Sequence, residues 1–370
     1  MIKDNTLNIV IFGLSITSSW GNGHAATYRG LIRELTRRGH KVIFFEKNLD
    51  FYESNRDLPN ADYYKIILYD KLTDLNKYKE VVAAADLVIV GSYVPNGVKV
   101  GYFVVEYAKG IKAFYDIDTP VTLAKLKNED YEYLEPMLIS QYDMYLSCTG
   151  GPTLNFIEEY YRSPKALPFY CSFDPDLYYK MDISKKWLMG YIGTYSRDRQ
   201  PALKKLLIEP AKQMPLDYFV VAGTQYPVDM ILPQNIERIQ HLPPTEHADF
   251  YNSQIFTLNI TRADMLKAGF SPSVRLFEAA ACAVPIISDY WNGIETILKP
   301  DEEILIAHSS EDVIKYLNNL SNDERIKIGE NAQTNVMENH TTEKRAIQLE
   351  EYYEMIVDRT KKPISIKNNY

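Results

Sequence analysis

The segment Ala268-Gly-Phe-Ser-Pro-Ser-Val-Arg-Leu-Phe-Glu278 has the residue types needed to hold a diphosphate. Ser271 reads as a helix N-cap and Pro272 as the first helical residue, so the N–H groups that follow point at whatever lies ahead of the helix. An anion is favoured there. Ser273 opens this run of donors, Arg275 one turn in offers a planar charged fork, and Glu278 three residues later can accept ribose hydroxyls. The same Arg–Glu spacing also describes an ordinary surface pair. Three further loops can serve the same ligand. Gly193-Thr-Tyr-Ser-Arg197-Asp-Arg199 brings a glycine and two arginines to the diphosphate from the side opposite Ser273 and Arg275, unless Arg197, Asp198 and Arg199 form a solvated charge cluster. His241 and Leu242, ahead of two prolines, form a shelf for a nucleobase or simply a stiff turn. Arg262 and Asp264 follow Asn259-Ile-Thr and either reach a bound sugar or pair with each other. Arginines so placed stabilise the charge of a departing diphosphate, which makes Arg275 the expected catalytic cation.

A second constellation suits an acceptor. The loop from Gly13 to His24 ends in Gly21-Asn-Gly23-His24 just before a helical pattern, and its glycines let backbone approach a ligand. It is too long for a dinucleotide fingerprint and lacks the third glycine at its spacing, so a nicotinamide enzyme is not expected. His24 can act as general base toward a hydroxyl, bind a sugar hydroxyl as neutral imidazole, or only cap the helix. Asp116-Ile-Asp118 places two carboxylates on one side of an extended strand, a pattern that holds divalent metals elsewhere. A metal is not expected here, because arginines and a helix start already supply positive charge. Asp118 is instead an acceptor ligand or base.

These residues need parallel strands ending in loops. Leu7 to Phe12, the helical pattern after His24 and Lys41 to Phe45 make a βαβ unit, with Tyr28, Leu31, Ile32 and Leu35 on one apolar face. Further strands are expected at 85–90, 111–115, 144–147 and 167–171, then a polar linker at 174–186. A second series has strands at 188–192, 218–222, 236–240, 256–260, 285–288 and 303–307, and helices at 201–213, 247–252, 273–282 and 310–320. The expected architecture is α/β: two doubly wound, Rossmann-like domains, 1–176 and 177–341, facing across a cleft where strand ends meet a ligand. Helices near 323–338 and 342–358 end the chain, the last (342–370 with its polar tail) returning to the first domain.

Length and composition narrow the classes. At 370 residues two cores are natural. A formal net charge of −8 argues against general binding to nucleic acid or acidic membranes, and favours small molecules or neutral glycans. Cys148, Cys171 and Cys282 are too few and scattered for a disulfide framework or zinc site. No signal peptide or membrane-length apolar run is read, so a cytoplasmic protein is expected.

The run Gly269–Asp289, with Glu303-Ile-Leu-Ile-Ala and Glu338-Asn-His-Thr-Thr-Glu-Lys-Arg345, resembles the C-terminal domain of CgeB-type, spore-maturation-like glycosyltransferases. Trp20-Gly-Asn-Gly-His, Phe114-Tyr-Asp-Ile-Asp-Thr-Pro, Thr149-Gly-Gly, Asp198-Arg-Gln-Pro and Asn259-Ile-Thr-Arg-Ala-Asp-Met are similar to a full-length subgroup. The resemblance implies a GT-B fold, nucleotide donor on the second domain, acceptor on the first and no structural need for metal. It also implies that Ser273 and Arg275 hold the diphosphate and Glu278 the ribose. One departure stands out. The retaining group with a Glu-x7-Glu pattern has a glutamate where this chain has Phe270. The expected reaction is transfer of a sugar from a UDP-sugar co-substrate, without other cofactor, to a hydroxyl. Rival readings are a sugar-nucleotide epimerase of the same fold and a catalytically silent envelope or spore-layer protein. Glycosylation of DNA would require a basic groove that the net charge does not suggest.

Overall fold

The computed structural model describes residues 6–20 and 23–361. Gly21 lies outside the described residues, as does the tail beyond 361. The chain forms two units, one from the residues up to Tyr170 together with those from Thr342 onward, the other Cys171–Thr341.

The first unit is built on a seven-stranded parallel sheet ordered β3-β2-β1-β4-β5-β6-β7. Its strands are β1 (Asn8–Gly13), β2 (Lys41–Lys47), β3 (Lys65–Tyr69), β4 (Leu87–Gly91), β5 (Ile111–Asp116), β6 (Met144–Ser147) and β7 (Ala166–Pro168). Central strands of such a sheet are covered on both faces, so they are nearly continuous apolar runs: every residue of β1 after Asn8 is buried. The helix Gly23–Arg37 lays Tyr28, Leu31, Ile32 and Leu35 inward, as their 3.6-residue spacing demands. Strand β3 is not evident from patterning because it is an edge strand. Only Ile67 and Tyr69 are buried, and Lys65 and Leu68 are exposed.

The last helix, Thr342–Lys361, packs on Gly23–Arg37. Arg38 grips Glu350 through both Nε and Nη2, at 2.6 and 2.7 Å, and His40 Nε2 lies 2.8 Å from the same carboxylate. His40 Nδ1 accepts the Leu7 amide at 3.1 Å, which leaves Nε2 as the protonated nitrogen. Burial pushes the Glu350 carboxyl upward, but Arg38 and His40 outweigh it and hold it below the usual range.

The second unit has a six-stranded parallel sheet ordered β10-β9-β8-β11-β12-β13. Its strands are β8 (Trp187–Ile192), β9 (Phe219–Ala222), β10 (Ile236–Ile239), β11 (Gln254–Asn259), β12 (Ile286–Ser288) and β13 (Leu305–Ile306). The helix expected at 201–213 is interrupted by a wide turn, Lys204–Ile208. Pro210 explains it: the proline ring clashes with a carbonyl four residues earlier, and a looser turn relieves the clash. Ser309 with Asp312 and Ser321 with Glu324 form capping boxes that start the next two helices.

The polar stretch expected as a linker is docked on the second unit. Asn252 donates to the Tyr179 carbonyl and accepts from the Met181 amide, and Tyr178 is buried with its hydroxyl 3.1 Å from His247 Nδ1. Periodicity is absent there because the segment is held by scattered side-chain contacts, Asn252 and His247 among them, without regular secondary structure.

Candidate active site

The helix behind the proposed diphosphate site starts two residues later than its Ser-Pro pattern predicts. Its first residue is Val274 and its N-cap is Ser273, whereas Ser271 and Pro272 lie in the preceding turn. The Ser273 hydroxyl donates to Asn259 Oδ1 at 2.9 Å and makes no side-chain cap bond. Asn259, at the end of β11, thereby orients this hydroxyl. The first amides of Val274–Ala281 still face the loops at the strand ends, the arrangement that favours an anion.

Arg275 lies across the carboxyl ends of β8 and β11. Its Nη1 donates to the Ile192 carbonyl at 3.1 Å and its Nη2 to the Ile260 carbonyl at 3.0 Å, while Nε is buried with no partner. Gly193 makes this possible, since a Cβ there would stand 2.9 Å from Arg275 Nη1. The charge-cluster reading of 197–199 divides: Arg197 and Asp198 are exposed, and Arg199 is only 8% exposed. Arg199 donates to the Thr194 carbonyl, and its Nε also is buried without a partner. Burial first, and then the positive charges of Arg275 and Arg262, lower the hold of Arg199 on its proton. Three guanidiniums thus share one electrostatic environment. Such crowding is unfavourable until an anion enters.

Arg262 immediately precedes the helix Ala263–Ala268, with Asp264 exposed in its first turn. Asp198 accepts the Ala263 amide at 2.9 Å. Asp289, after β12, holds the Ile260–Arg262 turn by accepting both the amide and hydroxyl of Thr261. Glu278 is buried and accepts the Tyr251 hydroxyl at 3.1 Å. His241 is exposed, and the Leu242 carbonyl lies 3.2 Å from His247 Nε2.

Two residues missed in the sequence belong here. Arg238 holds the Val221, Gly223 and Ile239 carbonyls and lies 4.1 Å over the Tyr226 ring. Burial raises the Tyr226 hydroxyl pKa, which Arg238, Arg199 and Arg275 oppose, and that hydroxyl is buried without a partner. No spacing signal marks these residues, because each comes from a different strand end.

Position 270 is filled by an apolar side chain. Phe270 has φ of +47°, its amide donates to the Asn292 carbonyl at 2.6 Å, and its ring occupies the space a Cβ on Gly293 would need. That backbone region disfavours an L-residue by roughly 1–2 kcal/mol, so surrounding contacts hold it there.

In the first unit, His24 and Asp118 come together although 94 positions separate them (118 minus 24). Gly23 and His24 open the helix after β1, and Asp118 precedes the helix Thr119–Lys127 after β5. His24 Nε2 lies 3.8 Å from Asp118 Oδ2, and the two side chains are 11% and 20% exposed. A hydroxyl oxygen can reach both at hydrogen-bond distance, about 2.6–3.2 Å. Asp116 is placed differently, fully buried beneath this pair. It accepts from the Thr122 and Tyr145 hydroxyls and from the Asp118 amide, so it braces the loop that carries Asp118. Burial pushes its carboxyl up to about 6, against those hydroxyls. A raised folded-state pKa means that this group stabilises the fold increasingly as pH falls from about 6 toward the ordinary carboxylate range. Asp116→Asn removes that component: the stability gap between parent and variant, from urea unfolding, is expected to widen on acidification from pH 7 to 5. A constant gap would count against the buried, proton-binding Asp116.

Among the described residues, no three His, Cys, Asp or Glu side chains converge as a metal-binding group. Nor, among them, is any helix long and apolar enough to cross a membrane.

Residues 199–351, which include Arg199, Arg262, Arg275 and Glu278, match a family model described as glycosyl transferase-like. The chain carries a glycosyltransferase-type domain. Its fold is GT-B, shared over nearly the whole length with solved structures of low identity. Sucrose-phosphate synthase from Thermosynechococcus elongatus aligns at a TM-score of 0.70 and 13% identity, over 95% of this chain and all of that one. HepE from Anabaena, solved with UDP and glucose, aligns at 0.70 and 12%, over 94% of the transferase and all of HepE. An alpha-glucosyltransferase in complex with UDP-glucose and DNA containing an abasic site aligns at 0.69 and 12%, over 95% and 100%. No curated protein matches the transferase.

Proposed function

We propose that the transferase moves a sugar from a UDP-sugar to an acceptor hydroxyl, without a metal ion, as a cytoplasmic member of the CgeB-type group. The observation that carries this reading is the convergence of Arg199, Arg262 and Arg275 beside a helix N-terminus, with two guanidinium Nε groups buried and unpartnered. A diphosphate satisfies those donors and relieves the repulsion between the arginines. The same charges stabilise the leaving diphosphate, the task a divalent ion has in other transferases. Glu278 receives the ribose hydroxyls, and the loop containing His241 and Leu242 borders the base. UDP as the nucleotide is supported by HepE and the DNA-bound glucosyltransferase, both solved with uridine nucleotides.

On the acceptor side, the hydroxyl sits between His24 and Asp118. His24 Nε2 takes its proton, and Asp118 stabilises the resulting imidazolium. Asp116 keeps Asp118 in place without touching the acceptor.

Calorimetric titration with UDP tests the donor site. The parent is expected to bind UDP, and Glu278→Ala to weaken binding about tenfold or more, the value of one charge-assisted hydrogen bond. Equal UDP affinity in parent and variant would remove Glu278 from the site. A thermal-shift panel of UDP, GDP, TDP and CDP sugars should respond to the uridine donor alone. Incubation with donor only separates the rival chemistry: an epimerase returns a changed sugar nucleotide, whereas a transferase yields at most slow hydrolysis.

A further inference from the structure

The loop after β1 is secured along its length by buried polar contacts. Ser15, Ile16, Thr17 and Ser18 are buried completely. Glu46, also buried, accepts the amides of Ile16 and Thr17 at 2.6 and 3.1 Å and the Thr17 hydroxyl at 2.6 Å. Asp57 accepts the Ser19 amide and hydroxyl and is itself held in a two-pronged grip by Arg29, at 2.9 and 2.7 Å. Arg29 Nε also donates to the Ile16 carbonyl at 2.8 Å. Burial pushes the Asp57 carboxyl up, but Arg29 and Ser19 more than reverse this, so the carboxylate stays charged far into acid. Ser18 donates to the Asn55 carbonyl at 2.8 Å.

At the end of this braced loop stands Trp20, 55% exposed. Its ring meets Phe51, 48% exposed, edge to face at 6.1 Å between centroids. Phe51 is in turn seated on Tyr52 at 4.0 Å. Leaving two large aromatic side chains half in water forgoes hydrophobic stabilisation, and nothing in the loop's own bonding requires it. A rigid aromatic surface of this kind suits a pyranose ring. The C–H edges of the sugar carry partial positive charge and its hydroxyls point sideways into water, while the indole face is electron-rich. Exposed Asp50 and Glu53 flank Phe51, which disfavours a phosphate-bearing occupant such as an anionic lipid or DNA. Trp20 also lies only four positions before His24.

We infer that Trp20 and Phe51 form a stacking platform for a neutral sugar residue of the acceptor, which makes the acceptor a glycan. The inference rests on the transferase reading above, in that the hydroxyl presented to His24 belongs to the same saccharide.

Fluorescence isolates the platform. Trp187 and Trp291 are buried, at 9% and 2% exposure, so the tryptophan emission quenched by acrylamide in the full chain reports Trp20. Maltotriose, cellotriose and tri-N-acetylchitotriose are titrated in turn, with phosphatidylglycerol vesicles as the anionic comparison. At least one saccharide is expected to protect Trp20 from quenching, with protection reduced in Phe51→Ala. In transfer assays on the protecting saccharide, Trp20→Ala should raise the acceptor KM about fivefold to tenfold. Trp20→Phe should recover most of the loss, and UDP affinity should stay at the parent value. Protection by vesicles alone, by none of the probes, or an unchanged acceptor KM in Trp20→Ala would overturn the platform. Failure of the parent to bind UDP would instead strike the donor assignment, since the quenching measurement needs no nucleotide.

Discussion

Arg275→Ala is expected to lower donor kcat/KM by about 100- to 1,000-fold, the range seen when a preorganised donor to a developing charge is removed. In the proposed reaction the residue has two duties. Through Nη1 and Nη2 it ties the Ile192 and Ile260 carbonyls, and with Arg199 and Arg262 it makes the positive field in which a diphosphate is stable. Losing the first duty leaves carbonyls at two strand ends without their donor, an expected stability loss of about 1–3 kcal/mol. Thermal denaturation with and without UDP separates the two effects: a variant that melts cooperatively but is no longer shifted by UDP has lost the field. Arg275→Lys sharpens the test, because a lysine retains the charge and cannot span both carbonyls with a planar fork. Its activity should fall between parent and alanine variant. Should Arg275→Ala fold and turn over donor like the parent, the diphosphate does not bind where the three arginines converge.

The second large effect is expected on the acceptor side. His24→Ala should reduce kcat by about 100- to 10,000-fold, the usual contribution of a positioned general base, while UDP affinity remains that of the parent. Asp118→Asn keeps shape and removes charge, and is expected to fall short of the His24 loss. The double variant should be little worse than His24→Ala, since two groups acting on one proton are not additive. Near-normal turnover in both single variants, with folding intact, would leave the pair at 3.8 Å without a role in proton transfer.

Several parts of this arrangement are legible in the order of residues along the chain. The buried runs of β1 and β4 are apolar and short, and the face of Gly23–Arg37 repeats every three or four residues. Arg275 and Glu278 announce themselves by lying one turn apart beyond a Ser-Pro-Ser turn. The helix start is not legible in the same way. Ser271 and Ser273 are equally good caps by type, but Ser273 takes the N-cap position, its hydroxyl donating to Asn259 of β11 instead of capping the helix. Asp116 and Asp118 likewise look alike in a two-residue spacing. Tyr145 and Thr122 draw the first into the interior, and the chain's turn at 118 leaves the second beside His24.

By itself the sequence determined the α/β class and the parallel order of elements, because periodicity and turn residues act over a few neighbouring positions. Only the tertiary structure decided which groups share an environment. Arg199, Arg262 and Arg275 meet because β8 and β11 are adjacent in the sheet, and His24 meets Asp118 because the helices after β1 and β5 begin at the same end of theirs. Electrostatic coupling and hydrogen bonding depend on distances of a few ångströms in space, and chain folding sets these without leaving a trace in spacing along the chain.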